Sequence, residues 1–286
     1  MKLGLLLSGG LGISILKSLF EEYKIEFVFT DKNSKGIIDF CQDANVPTFI
    51  GNPRANSSKE FLENKEVEVI ASVNYLFLVE KDLIEKPKNM IFNVHGSLLP
   101  KYRGRTPHVW SIINNEKITG VTAHLIDEGC DTGDVIRQVA ISIEAEDTGA
   151  DILKKYELVY PEIVSDVLED IKNNTIKTQP QDISEATYFG KRTPEDGRIN
   201  WNWQKERIFN WVRAIADPYP GAFTYYQNQK VTIDKIKYVN FGFNYLDDNG
   251  KILNTQPIII KTPNGAVEIV KYREREIKFV KGEKFQ

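Results

Sequence analysis

The strongest constraint in this chain is a rhythm in its first half, where short apolar runs alternate with segments of helical spacing. Leu3–Ser8 is nearly continuous in apolar residues and is followed by Gly9, Gly10 and Gly12. Ile13–Phe20 has helical spacing, and Ile25–Thr30 reads as the next strand, closed by Asp31. Lys35–Ala44 then reads as a helix and Val46–Ile50 as a short strand. Val67–Ser72 and Met90–Val94 are two further buried-strand candidates, separated by the helix-like Glu80–Lys86. A strand with no polar alternation must be covered on both faces. Strands that alternate with helices therefore predict an α/β fold: a Rossmann-like, mostly parallel sheet with helices on both sides.

The pattern changes further on. Thr119–Ile126 and Gly133–Ile143 are rich in β-branched residues and read as paired strands. Asp151–Asn173 reads as a long amphipathic helix, because Ile152, Tyr156, Val159, Ile163, Val167 and Ile171 recur every three or four residues. Pro161 should bend it. Composition shifts around Glu185–Asn200, and TPEDG at Thr193–Gly197 is turn chemistry. This places a boundary between a first domain, 1–186, and a smaller second one, 187–286. The second opens with a helix-like Lys205–Ala214 and continues with strand candidates Gly221–Tyr226, Lys230–Asp234, Gln256–Thr262 and Ala266–Val270. Close turns at Asp248–Gly250 and Asn264–Gly265 suggest a small β-barrel-like unit.

Composition removes several function classes. The net charge of −3 argues against nucleic acid as a partner. Cys41 and Cys130 match no metal-ligand spacing, and with three histidines a metal site is not expected. The opening MKLGLLLSGG resembles a signal peptide, but its apolar run is shorter than the ~7–15 residues such a region needs. No stretch approaches the ~20 apolar residues of a membrane span. A cytoplasmic protein is expected.

Two segments carry chemistry. In FNVHGSLLPKYRGR (Phe92–Arg105), Asn93 and His95 lie two apart at the end of a predicted strand, hence on one face. Sites in open parallel sheets form at the carboxyl ends of strands. A carboxamide there can donate to a developing oxyanion, and an imidazole can shuttle a proton near neutral pH. In TGVTAHLIDEGCDTGDVIR (Thr119–Arg137), Gly129 and Gly133 bracket Asp131 on a tight loop between strands. Asp131 either caps that turn or orients His95 and stabilises its imidazolium.

Together these segments closely resemble the folate-dependent formyltransferases. The shared pattern stands here as Asn93, His95, Ser97–Pro100, Tyr102–Gly104, Gly120–Thr122 and Asp131–Gly133. YFGKRTPEDGRINW (Tyr188–Trp201) and Val212–Ile233 extend the likeness towards the formyltransferase domain that acts on UDP-4-amino-4-deoxy-L-arabinose. The resemblance implies an OB-like barrel for the tail and Asn93, His95 and Asp131 as the catalytic trio. It further implies that N10-formyltetrahydrofolate, as co-substrate, is held by the backbone near Leu76, Phe77 and Leu78, by the Ser97, Leu98, Leu99 and Pro100 loop, and by Asp131. By their residues alone, Ser72–Val79 read as core strand. The implied reaction is direct acyl transfer to an amine, with no metal and no covalent enzyme intermediate.

Other residues keep two readings. Ser8, Gly9 and Gly10 form a tight turn that could receive a substrate phosphate at a helix N-terminus. A nicotinamide site is the rival there, since Asp31 lies about 20 residues on, but Ile15 stands where that fingerprint wants a third glycine. Arg103 and Arg105 could bind phosphate, or Arg103 could be a structural fork paired to a carboxylate. His108 could face the substrate mouth, while His124 reads as a hydrogen-bonded structural histidine. Trp201, Trp203 and Trp211 read as packing, with a stacking surface for a base as the alternative.

The family's tRNA enzymes carry a basic insertion after the second strand, absent at Thr30–Phe40. Residues 205–286 are only mildly basic, with 14 Lys and Arg against 9 Asp and Glu. Both features favour a UDP-, dTDP- or GDP-linked 4-amino-4-deoxy or 4-amino-4,6-dideoxy sugar, used in surface glycans such as O-antigen or lipopolysaccharide, over methionyl-tRNA. Relatives imply a homodimer. A formyl-folate hydrolase and a non-catalytic folate-binding module are the other classes.

Overall fold

The computed structural model describes residues 1–55, 57–274 and 276–286. The chain divides into two compact units. The first comprises Met1–Gly104, Gly120–Ile141 and Lys155–Tyr188, and the second Arg105–Thr119, Ser142–Lys154 and Phe189–Gln286.

The elements run β1 (Lys2–Leu7), α1 (Gly9–Phe20), β2 (Lys24–Thr30), α2 (Lys35–Asp43), β3 (Thr48–Ile50), α3 (Lys59–Leu62), β4 (Val69–Val73), α4 (Lys81–Ile84) and β5 (Met90–His95). There follow β6 (Arg103–Gly104), α5 (Pro107–Ile113), β7 (Ile118–Leu125), β8 (Val135–Ser142), α6 (Gly149–Lys172) and β9 (Tyr188–Phe189). The last are α7 (Lys205–Ala214), β10 (Ala222–Tyr226), β11 (Gln229–Val239), β12 (Ile252–Thr255), β13 (Ile258–Thr262) and β14 (Gly265–Tyr272).

A seven-stranded sheet in the order β3-β2-β1-β4-β5-β7-β8 forms the first architecture. Its first five strands are parallel, and β7 joins β5 antiparallel. This is the mostly parallel sheet the apolar runs predict. Leu3, Leu5, Leu6, Leu7, Phe27, Val28, Phe29, Ile70 and Ala71 are fully buried in its central strands. Phe27 and Phe29 pack with Phe61 and Phe49 into an aromatic cluster on one face. The long helix runs unbroken through Pro161 and buries Ile152, Tyr156, Tyr160, Ile163, Val164, Val167, Leu168 and Ile171.

Residues 74–80 correct one reading. They are irregular, not core strand, and β4 stops at Val73. Leu76 and Leu78 are 40% and 54% exposed, so hydrophobicity here does not mark the core.

In the second unit, β10-β11-β14-β13-β12 form an antiparallel half-barrel. The four-residue β12 has no counterpart in the sequence reading, because only Ile252 and Leu253 are apolar and β12–β13 pairing is irregular between Ile252 and Asn254. The C-terminal segment bridges both edge strands. Ile252 N–H donates to Glu283 O at 2.8 Å, and Gln286 N–H donates to Tyr225 O at 2.8 Å. Both sheet edges thereby find partners. Phe285, fully buried, stacks on Trp201. Among the described residues no helix is long and apolar enough to cross a membrane.

Candidate active site

The catalytic candidates gather at the carboxyl end of β5, where β7 runs back beside it. The antiparallel register sets Asn93 opposite His124 and His95 opposite Thr122. Directly paired residues share a face, so these four side chains are neighbours. Asn93 Nδ2 lies 3.2 Å from His124 Nε2. His124 Nδ1 is 2.7 Å from Leu125 O, and a carbonyl can only accept, so Nδ1 carries the proton. Nε2 of the neutral ring is then an acceptor, which fixes the Asn93 amide with its NH2 group towards His124. Burial of His124 holds its pKa down from 6.5 to about 4 against the opposing pull of Asp131, so the ring is neutral at physiological pH.

His95 is oriented the same way. Its Nε2 is 2.8 Å from Tyr102 O, so Nε2–H donates there and Nδ1 is the basic nitrogen. Nδ1 faces Asp131 Oδ2 at 3.7 Å. The other carboxylate oxygen, Oδ1, lies 3.7 Å from His124 Nε2. Asp131 itself has a left-handed φ of 56°, a conformation that Asp tolerates better than most residues. Its Oδ2 accepts from Gly104 N at 2.8 Å. Burial pushes this carboxyl up, but His95, the Gly104 N–H and His124 outweigh burial and hold it below the usual carboxylate range. The two distant stretches thus converge: the Asn93 amide is hydrogen-bonded to His124, and the Asp131 carboxylate lies 3.7 Å from a ring nitrogen of each imidazole. The Asp131 carboxylate reaches beyond its own turn to Gly104 N, and His124 is hydrogen-bonded as its sequence context suggests, with its acceptor nitrogen facing Asn93.

The Ser97–Pro100 loop is stitched to the strands beside it. Thr122 Oγ1 donates to Ser97 O at 2.6 Å and accepts from Leu99 N at 3.1 Å. Gln138 Nε2 donates to Leu99 O at 2.8 Å. Ser97 and Leu99 are buried, while Leu98 and Pro100 keep part of their surface free to line a pocket. Tyr156 OH donates to Gly96 O at 2.7 Å and holds the turn just after His95.

The substrate-contact candidates are placed differently. Arg103 is 2% exposed, so its guanidinium does not offer itself to a phosphate. Its acceptors are Gln181 Oε1 and Tyr188 OH, not the carboxylate a structural fork was expected to find. The Gly9 amide, the natural anion donor of the first loop, already donates to Ser34 Oγ at 2.9 Å. Ser34 Oγ in turn donates to Asp31 at 2.5 Å, and Asp31 is held below its usual range despite burial, chiefly by its bond from Ser34. A phosphate at Ser8, Gly9 and Gly10 would have to displace Ser34 and face a carboxylate one bond behind it. Arg105 and His108 lie in the second unit. His108 Nε2 is 2.8 Å from Tyr219 OH, and desolvation lowers its pKa to about 4.

The tryptophans of the second unit are packed. Trp201 Nε1 donates to Thr224 Oγ1, and Trp211 Nε1 to Gly197 O. The Arg192 guanidinium sits 4.4 Å from the Trp211 ring centroid and so occupies the surface a base would need. Among the described residues no group of three or more His, Cys, Asp or Glu side chains is placed to hold a metal.

The fold and the placement of these residues are those of the formyl transferase class. The chain belongs to the formyl transferase family: residues 22–168 match its formyl transferase domain and residues 191–286 its C-terminal domain. A bifunctional polymyxin resistance protein ArnA from Wigglesworthia glossinidia brevipalpis is 37% identical over 211 residues, which is 74% of this chain and 32% of that protein. The chain therefore spans about a third of that curated relative. WlaRD, described as a sugar 3N-formyl transferase and solved with dTDP and 5-N-formyl-THF, is 25% identical, with a TM-score of 0.69 over 94% of this chain and 96% of that one. An N-formyltransferase from Helicobacter canadensis, solved with folinic acid and dTDP-3-aminofucose, shares the fold at 23% identity, with a TM-score of 0.72 over 94% of this chain and 98% of that one.

Proposed function

We propose that this chain transfers the formyl group of N10-formyltetrahydrofolate to the amine of a nucleotide-linked amino sugar. The sequence favours a 4-amino-4-deoxy or 4-amino-4,6-dideoxy sugar on a UDP, dTDP or GDP carrier, formylated in the cytoplasm for surface glycans. The observation that carries the reading is the juxtaposition of Asn93, His95 and Asp131, with His95 Nδ1 at 3.7 Å from the carboxylate. The likeness to WlaRD, described as a sugar 3N-formyl transferase, supports a sugar over tRNA as acceptor.

The residues present fit a formyl donor. The irregular Asn74–Glu80 segment leaves the side chains of Leu76 and Leu78 exposed, as an apolar surface for a flat heterocycle requires. Bound there, the donor supplies an activated formyl carbon. Asn93 Nδ2 has two protons, and His124 engages one of them, which leaves the second to meet the oxygen of that carbon as negative charge develops. His95 Nδ1 takes the proton that the attacking amine sheds. Asp131, ionised and 3.7 Å away, stabilises the resulting imidazolium. The Tyr102 carbonyl keeps the ring from turning its basic nitrogen away.

The test is tetrahydrofolate release with a panel of UDP-, dTDP- and GDP-linked sugars bearing the amine at C3 or C4, set against charged initiator tRNA and against no acceptor. Release coupled to one class of nucleotide sugar is expected. Turnover with tRNA alone, or free formate without any acceptor, would overturn the reading.

A further inference from the structure

Gln181 lies outside both motif-bearing segments, in the stretch between α6 and β9, yet its side chain reaches the backbone of the loop that carries Asp131. The reasoning starts from Arg103. A guanidinium is always charged, and this one is 2% exposed, so its N–H groups must find acceptors inside the protein. Nε and Nη2 both reach Gln181 Oε1, at 3.2 and 2.7 Å, and Nη1 reaches Tyr188 OH, whose ring it also faces. Two cationic donors on one amide oxygen fix which way the Gln181 amide points.

Its NH2 group is then directed at the loop that carries Asp131. Nε2 donates to Asp131 O at 3.0 Å and to Gly133 O at 2.7 Å. These carbonyls lie on either side of Thr132, so one side chain pins the backbone through the left-handed residue. Arg103 also immediately precedes Gly104, whose N–H binds Asp131 Oδ2. The same buried pair thus sets both the main chain beneath Asp131 and the donor above it. Thr187, six residues on, adds a matching tie: its Oγ1 accepts from Tyr102 N at 2.8 Å, and Tyr102 O orients His95.

We infer that Gln181, clamped by Arg103, is a positioning residue that aims the Asp131 carboxylate at His95. The inference rests on the function proposed above for its kinetic consequence, but its geometric content can be tested without any substrate.

The discriminating variant is Gln181→Glu. Its carboxylate keeps an acceptor for Arg103, and indeed an ion pair, while losing both donors to the Asp131 loop. It should therefore still fold on its Arg103 anchor, with a melting temperature lowered by the two carbonyls that then face an oxygen instead of an N–H donor. The Asp131 carboxyl, followed by carbon-detected NMR, should rise from its lowered position towards the ordinary carboxylate range. Under formyl transfer, kcat should fall roughly 10–100-fold with little change in either KM, and the acid limb of the kcat profile should move. Gln181→Met, which lacks both donor and acceptor, should lose stability as well as kcat. An unchanged Asp131 titration in a folded Gln181→Glu protein overturns the inference whatever the enzyme's substrate. So does wild-type kcat, or a loss of kcat that merely tracks melting temperature. If instead the wild-type protein formylates no amino sugar while the Asp131 titration shifts as stated, the proposed function fails and the positioning role stands.

Discussion

Replacing His124 with Asn should remove a defined part of the protein's sensitivity to acid. The folded ring is neutral with a pKa of about 4, against 6.5 when unfolded. Between these values the unfolded chain binds a proton that the native state refuses. Unfolding then takes up protons, so stability falls as pH drops through 6.5 and goes on falling until about 4. Two and a half units amount to roughly 3 kcal/mol in full. Between pH 7.5 and 5.5 the same relation gives about 1.3 kcal/mol, because the unfolded ring is mostly protonated at the lower pH and the folded ring hardly at all. Asn retains a donor for Leu125 O and does not titrate. Urea unfolding of both proteins at pH 7.5 and 5.5, followed by a probe of the first unit, isolates the quantity. Carboxylates held low, such as Asp131 and Asp31, stay ionised across this window and add little to the difference. The variant should lose about 1.3 kcal/mol less than wild type over those two pH units. Equal losses would mean that His124 is not held neutral, and the assigned orientation of the Asn93 amide would go with it.

Three further outcomes are expected. His95→Ala should nearly abolish formyl transfer while leaving binding of the folate donor intact by titration calorimetry, and Asn93→Ala should lower kcat by roughly 100–1000-fold; normal turnover in either removes that side chain from the chemistry. Gly133→Ala should destabilise the first unit by about 1–3 kcal/mol in urea unfolding, because a Cβ there would stand 2.0 Å from Leu125 O, backbone that has no side-chain freedom with which to yield.

Periodicity was enough for the α/β sheet. Runs such as Leu3–Leu7 and Val69–Val73 have no polar face, and only a sheet covered on both sides accommodates them. The N-x-H spacing placed Asn93 and His95 on one side of β5, since alternation along a strand is a local property of the backbone. The same local logic misread Leu76 and Leu78, whose hydrophobicity serves an exposed segment. It also missed β12, too short to carry a pattern. Only the tertiary structure decided the rest. Register between β5 and β7 made His124 the partner of Asn93, and pairing the two strands antiparallel from their motifs was the one signal that could have found it. Burial withdrew Arg103 from the substrate and gave it to Gln181, a residue with no motif of its own. Which acceptor a buried charge finds depends on what the chain brings to it from 78 residues away, and no spacing rule carries that information.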